Sequence, residues 1–342
     1  MAETPLLEVK NLSVSFRVYG GMLRVLDGVN LTVHAGEKVG LVGETGCGKT
    51  TTMKTILRVV PQPPAVINSG EIRFKGREVL KMRQRELTDM RGQGISMIFQ
   101  DPTAALNPVF TVGQQLEAAI RYASAESRRM PRQEVRRRAV RALSEVALAD
   151  PERLLDSYPA QLSGGMRQRV CIGMALSTEP ELLIADEPGT ALDVTIQDQV
   201  LRLLHRLVEE KHTSVILITH TLGIVRQITD RVYVMYAGSV VEVAPTRRLF
   251  AQPSHPYTQG LMAAVPRLSG GGISDGIPGR IPDYMNPPTG CRFHPRCPHA
   301  MPVCKRQKPA LLAIEDAEHQ AACFLYDAPE RVRAYQQEGG LT

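Results

Sequence analysis

The sequence predicts an α/β core that carries a helical insertion and is followed by a separate cysteine-containing segment. Three observations lead there. Short apolar runs of β type alternate with stretches of helical period, the pattern of a layered α/β core. Between about residues 104 and 178 the period becomes helical, with polar and arginine-rich stretches. After about Phe250 proline, glycine and histidine become frequent, from Pro253 and Pro256 through Gly270 to Gly272 and on to Pro287 and Pro288. In chain order, Leu6 to Phe16 reads as a strand, and Lys38 to Val42 as a short apolar strand ending at Gly43. A helical pattern follows Lys49. Glu71 to Phe74 and Ile95 to Phe99 read as strands, and Thr111 to Leu148 as helical. Strands return at Leu182 to Ala185, Val215 to Thr219 and Val232 to Tyr236, with helices between them. The boundaries expected are a core over 1–250, the cysteine segment over 251–327 and a polar tail over 328–342.

The chain has 342 residues, enough for two or three domains of roughly 100–200 residues each. Hydrophobic residues make up 43% and charged residues 22%, as in a soluble globular protein. With mean hydropathy −0.14 and no apolar run near the ~18 residues a spanning helix needs, no membrane span is expected. Met1 to Lys10 contains Glu3 and Glu8 and shows no signal peptide, so a cytoplasmic chain is expected. The net charge of +6 favours anionic surfaces but is too mild to indicate nucleic acid. Arg128, Arg129, Arg132, Arg136, Arg137, Arg138 and Arg141 fall on one predicted helix beside Glu134 and Glu145 and read as a solvated face. No aromatic residues are interleaved for base stacking, and no nucleic-acid partner is expected.

Gly43-Glu44-Thr45-Gly46-Cys47-Gly48-Lys49-Thr50 fits G-x-x-x-x-G-K-[ST] between a predicted strand and a predicted helix. In that context backbone N–H groups cradle phosphates at a helix N-terminus. Lys49 adds a point charge, the Thr50 hydroxyl is a magnesium ligand, and Thr51 follows in the same turn. Cys47 sits where the backbone does the binding, so its side chain is incidental. Such a loop needs an acidic metal partner at the end of another apolar strand. Leu182-Leu183-Ile184-Ala185-Asp186-Glu187 supplies it, with Asp186 for the magnesium and Glu187 to polarise the attacking water.

Leu162-Ser163-Gly164-Gly165-Met166-Arg167-Gln168-Arg169 lies between these motifs and opens a helix. The combination resembles the ATPase subunits of ABC transporters, over residues 6 to 250. That resemblance implies a P-loop NTPase core with an antiparallel β subdomain and a helical insertion. Gln100 resembles the Q-loop glutamine that reaches magnesium and relays to membrane subunits. Ala191-Leu192-Asp193 resembles the D-loop, and His220 the switch histidine. Phe16 resembles the aromatic that stacks on adenine, with Tyr19 as the fallback. In this family two ATPase domains close head to tail, so Ser163, Gly164 and Gly165 would face a nucleotide held by the partner. No internal repeat is present, and a second chain must supply the other half.

The signature Ser-Gly-Gly-Met-Arg-Gln-Arg-Val, the run Asp193-Val194-Thr195-Ile196-Gln197 and His255-Pro256-Tyr257-Thr258 resemble one ATPase subunit of dipeptide and oligopeptide importers. The resemblance implies MgATP hydrolysis coupled to uptake. It also implies a homologous second ATPase, two permease subunits, an extracytoplasmic solute-binding protein and a place on the cytoplasmic face of the inner membrane. Nickel, oligosaccharides and opines are the alternative solutes, and a soluble ABC ATPase is the alternative class. Gly189 departs from the threonine expected there.

Six cysteines in a cytosolic chain do not suggest disulfides. Cys47 and Cys171 stand alone. The other four follow the spacing Cys291-x5-Cys297-x6-Cys304-x18-Cys323, which lacks the C-x2-C knuckle of a zinc ribbon. Zinc, an iron–sulfur cluster or free thiols all remain open on spacing alone. The family resemblance implies a [4Fe–4S] cluster at these four positions. His294 and His299 lie between the thiols and read as loop polarity.

Overall fold

The computed structural model describes residues 4–190, 192–264 and 276–337. It divides into two compact units. One comprises Val33–Lys38 and Glu78–Thr219, the other Pro5–Thr32, Val39–Arg77 and the described residues from His220 onward.

The second unit begins with strands β1 (Leu7–Val18) and β2 (Gly21–Val33), neighbours joined by Tyr19-Gly20 with Gly20 at φ 88°. Strand β3 (Lys38–Val42) and helix α1 (Lys49–Ile56) follow. Strands β4 (Ala65–Phe74) and β5 (Arg77–Glu78) then complete a sheet in the order β2-β1-β4-β5. β1 and β4 run antiparallel, with a register shift between Lys10 and Ser13. This irregularity keeps Leu7 and Val9 before it, and Leu12 and Val14 after it, on buried positions.

The first unit is a run of helices around a short parallel sheet. Helix α2 (Gln84–Asp89) precedes strand β6 (Ile95–Ile98). Helices α3 (Pro102–Ala105), α4 (Val112–Tyr122), α5 (Arg132–Glu145), α6 (Pro151–Leu155) and α7 (Gly164–Leu176) follow. Strand β7 (Leu182–Asp186), helix α8 (Val194–Lys211) and strand β8 (Ser214–Ile218) close it. β7 lies between β6 and β8, parallel to both. Every residue of β7 and β8 is buried, which is why both read as unbroken apolar runs. α4 starts in a capping box: Gln114 N donates to Thr111 Oγ1, and Thr111 N donates to Gln114 Oε1.

α5 buries Val135, Ala139, Ala142 and Leu143 and turns Arg137, Arg138 and Arg141 outward, where Glu134 and Glu145 pair with them. The arginine run is not one helix, however. Arg128 and Arg129 belong to a separate turn, Ser127–Arg129, because Pro131 cannot donate the backbone bond that would continue it and instead caps α5.

The second unit resumes with α9 (Leu222–Ile228), β9 (Arg231–Tyr236), β10 (Ser239–Pro245), α10 (Thr246–Ala251) and α11 (Pro256–Ala263). It ends with α12 (Pro302–Arg306), β11 (Leu312–Ala313), β12 (Gln320–Ala321) and α13 (Pro329–Gln337). The strands order as β11-β12-β10-β9-β3, with β3 and β9 parallel and β9 and β10 antiparallel. Ala237-Gly238 joins β9 to β10 with φ 43° and 84°, the two left-handed residues a tight hairpin requires. Tyr236 of β9 packs against Tyr257 and Phe293 with ring centroids 4.7 and 5.0 Å away. The segment beyond Phe250 therefore shares one core with β9, β10 and α9. Glu242, fully buried on β10, accepts from Ser254 N and His255 N and shares a 2.8 Å bond with His319 Nε2. Its carboxylate thereby fixes the start of α11 and the approach to β12. Among the described residues no helix is long and apolar enough to cross a membrane.

Candidate active site

The phosphate loop follows the buried end of β3. Gly43 has φ 151°, and a Cβ there would lie 2.2 Å from Met235 O, so only glycine fits. Gly48, at φ 105°, ends the loop as the N-cap of α1. Lys49 is 6% exposed, and its Nζ donates to Gly43 O at 2.7 Å and to Glu44 O at 3.1 Å. The ammonium is thus held inside the ring its own loop encloses. Thr50 and Thr51 are half-buried in the first turn of α1, and Thr52 Oγ1 donates back to Gly48 O. Cys47 is fully buried, and burial pushes its thiol pKa up, so it stays a neutral packing group. Phe16 sits half-buried on β1 opposite Ala65, whereas Tyr19 is fully exposed at the β1–β2 turn.

Three further contacts on this loop come from the segment after Phe250, and motif reading does not find them. Glu44 N donates to Tyr257 Oη at 2.9 Å, Tyr284 Oη donates to Gly46 O at 2.8 Å, and Arg296 Nη1 donates to both Glu44 carboxylate oxygens. The partners are more than 200 positions apart, and no local pattern encodes them. The one available signal was an acid in an anion-binding loop, which demands a cation somewhere.

In the other unit, Asp186 ends β7 at 2% exposure, in register with Ile218 of β8. Glu187 turns the chain at φ 47°, a left-handed conformation that costs about 1–3 kcal/mol for a residue with a Cβ. Its backbone N donates to Ile218 O at 2.8 Å, holding that turn. Its Oε2 accepts from Gln100 Nε2 at 3.1 Å and from Thr190 Oγ1 at 3.0 Å. The structure therefore brings Gln100 and Glu187 together, with the carboxylate aimed by two neutral donors. A Cβ at Gly189 would stand 2.7 Å from Gln197 Cγ, so glycine here makes room for a side chain of α8.

Ser163 is the N-cap of α7, its Oγ accepting from Met166 N at 3.3 Å. Gly164 and Gly165 let α7 approach the next motif, since a Cβ at Gly165 would meet Ile196 Cγ2 at 2.8 Å and one at Gly164 would meet Leu192 Cδ2 at 3.3 Å. Asp193 caps α8 by accepting from Ile196 N at 3.0 Å. Ala191 lies outside the described residues. His220 is exposed, two positions beyond the end of β8.

Cys291, Cys297, Cys304 and Cys323 are free thiols and line a single cavity whose walls include Phe293, Met301, Phe324 and Leu325. Burial raises the thiol pKa of Cys291 to about 11 and that of Cys323 to about 12, and raises Cys297 as well. Four soft sulfur donors fit zinc or an iron–sulfur group in kind. Among the described residues, however, no three His, Cys, Asp or Glu side chains converge to hold a metal ion.

The ABC transporter family matches residues 26–190, and the oligopeptide/dipeptide transporter C-terminal region matches residues 241–304. The chain is 46% identical over 323 residues to the dipeptide transport ATP-binding protein DppD of Bacillus subtilis, covering 94% of this chain and 95% of that one. It is 47% identical over 321 residues to the probable peptide ABC transporter ATP-binding protein y4tR of Sinorhizobium fredii, covering 93% and 94%. The oligopeptide transport ATP-binding protein OppD of Bacillus subtilis is 42% identical over 330 residues, covering 96% and 91%. Among solved structures, a dimeric post-hydrolysis state of the ATP-binding cassette MJ0796 bound to ADP and Pi superposes with TM-score 0.62 at 28% identity. That match covers 70% of this chain and 99% of the cassette.

Proposed function

The chain belongs to the ATP-binding proteins of peptide ABC transporters, and from that premise we propose that it hydrolyses ATP to drive uptake of dipeptides or oligopeptides. The observation that carries this reading is one chain holding both a phosphate loop at Gly43–Thr50 and a match to the peptide-transporter C-terminal region at 241–304.

The site residues take the following roles. Gly43, Glu44, Thr45, Gly46, Cys47 and Gly48 form the loop around the phosphates, which presents backbone N–H groups other than that of Glu44, held by Tyr257, and Lys49 adds charge on the terminal phosphates. Thr50, Asp186 and Gln100 serve magnesium. Glu187 polarises water, with Gln100 and Thr190 fixing its carboxylate before reaction. His220 is the switch histidine, and Phe16 stacks on adenine. Ser163, Gly164 and Gly165 face the nucleotide of a partner ATPase, next to Asp193. Residues 1–250 form the ATPase domain, with its helical part at about 104–178, and 251–327 form the peptide-importer appendage. The partners are a homologous second ATPase, two permease subunits and an extracytoplasmic binding protein, at the cytoplasmic face of the inner membrane. Cys291, Cys297, Cys304 and Cys323 would be the residues to hold a [4Fe–4S] cluster, with zinc as the alternative. The group would supply a structural staple, and the ATPase chemistry does not pass through it.

The test is ATP hydrolysis by the chain assembled with its membrane partners and binding protein in lipid, with and without mixed di- and oligopeptides. Stimulation by peptides is the expected result. Hydrolysis that peptides leave unchanged would point to another solute, and an absence of both partners and activity would overturn the reading.

A further inference from the structure

Glutamate is an awkward residue in a loop that binds phosphates, because its charge repels the ligand. Glu44 occupies that position, and the structure supplies its countercharge from 252 residues away. The Arg296 side chain is 6% exposed, and each guanidinium nitrogen is engaged. Nε donates to Pro278 O and Nη2 to Ile277 O, both at 2.9 Å. Nη1 reaches the two Glu44 oxygens at 3.2 and 3.0 Å and Tyr236 Oη at 3.4 Å. The guanidinium also stands 5.7 Å from the centroid of the Tyr236 ring. Two backbone carbonyls fix the planar fork, and the fork fixes the carboxylate. Tyr257 and Tyr284 tie down the same loop at Glu44 N and Gly46 O.

We infer that Arg296 is a positioning residue of the ATP site, neutralising and immobilising Glu44 so that the loop presents its N–H groups to phosphate without an opposing charge. The inference rests on the reading of Gly43–Thr50 as the ATP site. It adds a residue from the C-terminal segment to that site, acting through Glu44 and not touching the nucleotide. A role in folding alone differs from it in one respect. If Arg296 works by cancelling the Glu44 charge, its loss is repaired by removing that charge. If it only props the fold, it is not.

The experiment measures binding of a fluorescent ATP analogue with Mg²⁺ to the full chain, with the thermal midpoint recorded for each variant. Lys49→Ala should abolish binding. If it binds like the unaltered chain, the ATP-site reading itself fails, separately from this inference. Arg296→Ala should weaken binding about tenfold, the scale of one charge-assisted bond lost. Adding Glu44→Gln to Arg296→Ala should recover most of that loss. Arg296→Lys, which keeps the charge but loses the fork that two carbonyls hold, should bind between Arg296→Ala and the unaltered chain. In the assembled transporter Arg296→Ala should raise KM for ATP and leave kcat nearly unchanged, as loss of ground-state phosphate binding does. Should Arg296→Ala fail to fold, Arg296→Gln, with and without Glu44→Gln, provides the same comparison. Binding within twofold of the unaltered chain, or a loss that Glu44→Gln does not repair, overturns the inference.

Discussion

Glu187 turns the chain in a left-handed conformation while Gln100 and Thr190 hold its carboxylate. Its place after Asp186 in an apolar strand is visible in the chain, because a buried parallel strand writes itself as a continuous apolar run. Its left-handed φ and its bonds to Gln100 and Thr190 are not visible, since they depend on how β6 and β7 align. If this carboxylate polarises the attacking water, Glu187→Gln lowers hydrolysis by at least about 100-fold. MgATP binding should be retained in that variant. Equilibrium binding and single-turnover hydrolysis on the same preparation check both halves, and a variant that binds no ATP would remove Glu187 from this role. Gly189 is the complementary case: the sequence marks it as a departure, and the structure explains it by the Gln197 side chain. Gly189→Thr should cost about 1–2 kcal/mol of stability through overpacking, and Gln197→Ala in the same chain should recover it. Thermal unfolding of the single and double variants decides; equal losses in both would mean that Gln197 is not the obstacle.

At the scale of elements, α5 and α8 are joined at their C-terminal ends by Lys211 and Glu145, 2.9 Å apart and both partly buried. Burial alone would raise the Glu145 pKa, but the hydrogen bonds and charges of Lys211 and Arg141 outweigh it and lower the value. A carboxylate lowered on folding stabilises the protein above the ordinary carboxylate range and loses that contribution as pH falls through the folded value. Lys211→Met should therefore cost about 1 kcal/mol at pH 7, discounted for partial exposure. The gap to the unaltered chain should close as Glu145 becomes protonated in acid. Denaturant melts at pH 7 and below pH 4 test this, and a gap independent of pH would assign the loss to packing of the lysine stem.

The elements themselves were unevenly legible. β3, β6, β7, β8 and β9 stand close to where apolar runs place them. β4 begins at Ala65, six residues before the expected Glu71, because its first half alternates weakly and is held by pairing to β1. β2 passes unnoticed because Asp27, Gly28 and Asn30 interrupt its apolar positions. β10 places Glu242 inside the core, which no strand pattern suggests until Ser254, His255 and His319 are seen around it. The two-residue strands β11 and β12 carry no periodicity at all.

At the scale of the molecule, composition changes sharply after Phe250, but packing does not. Tyr257 and Phe293 are buried to 0% and 2% exposure against Tyr236, in the core that β9, β10 and α9 share. Arg292 donates to Ala237 O in the β9–β10 turn, and β12 extends the sheet beside β10. A chain ending at residue 250 would lose both aromatic partners of Tyr236 and uncover the faces of β9 and β10 that they and β12 close. Losing one large buried aromatic costs about 3–5 kcal/mol, and both Tyr257 and Phe293 are lost here. Together these exceed much of the ~5–15 kcal/mol that holds a domain folded. The truncated chain should therefore be recovered insoluble or without a cooperative melt, whereas one ending at residue 337 should melt like the full chain. Far-UV circular dichroism melts of the two products give the answer. A cooperative transition of the shorter chain within about 5 °C of the full one, roughly 3 kcal/mol in a protein of this size, would show that the second unit closes its core without the C-terminal segment.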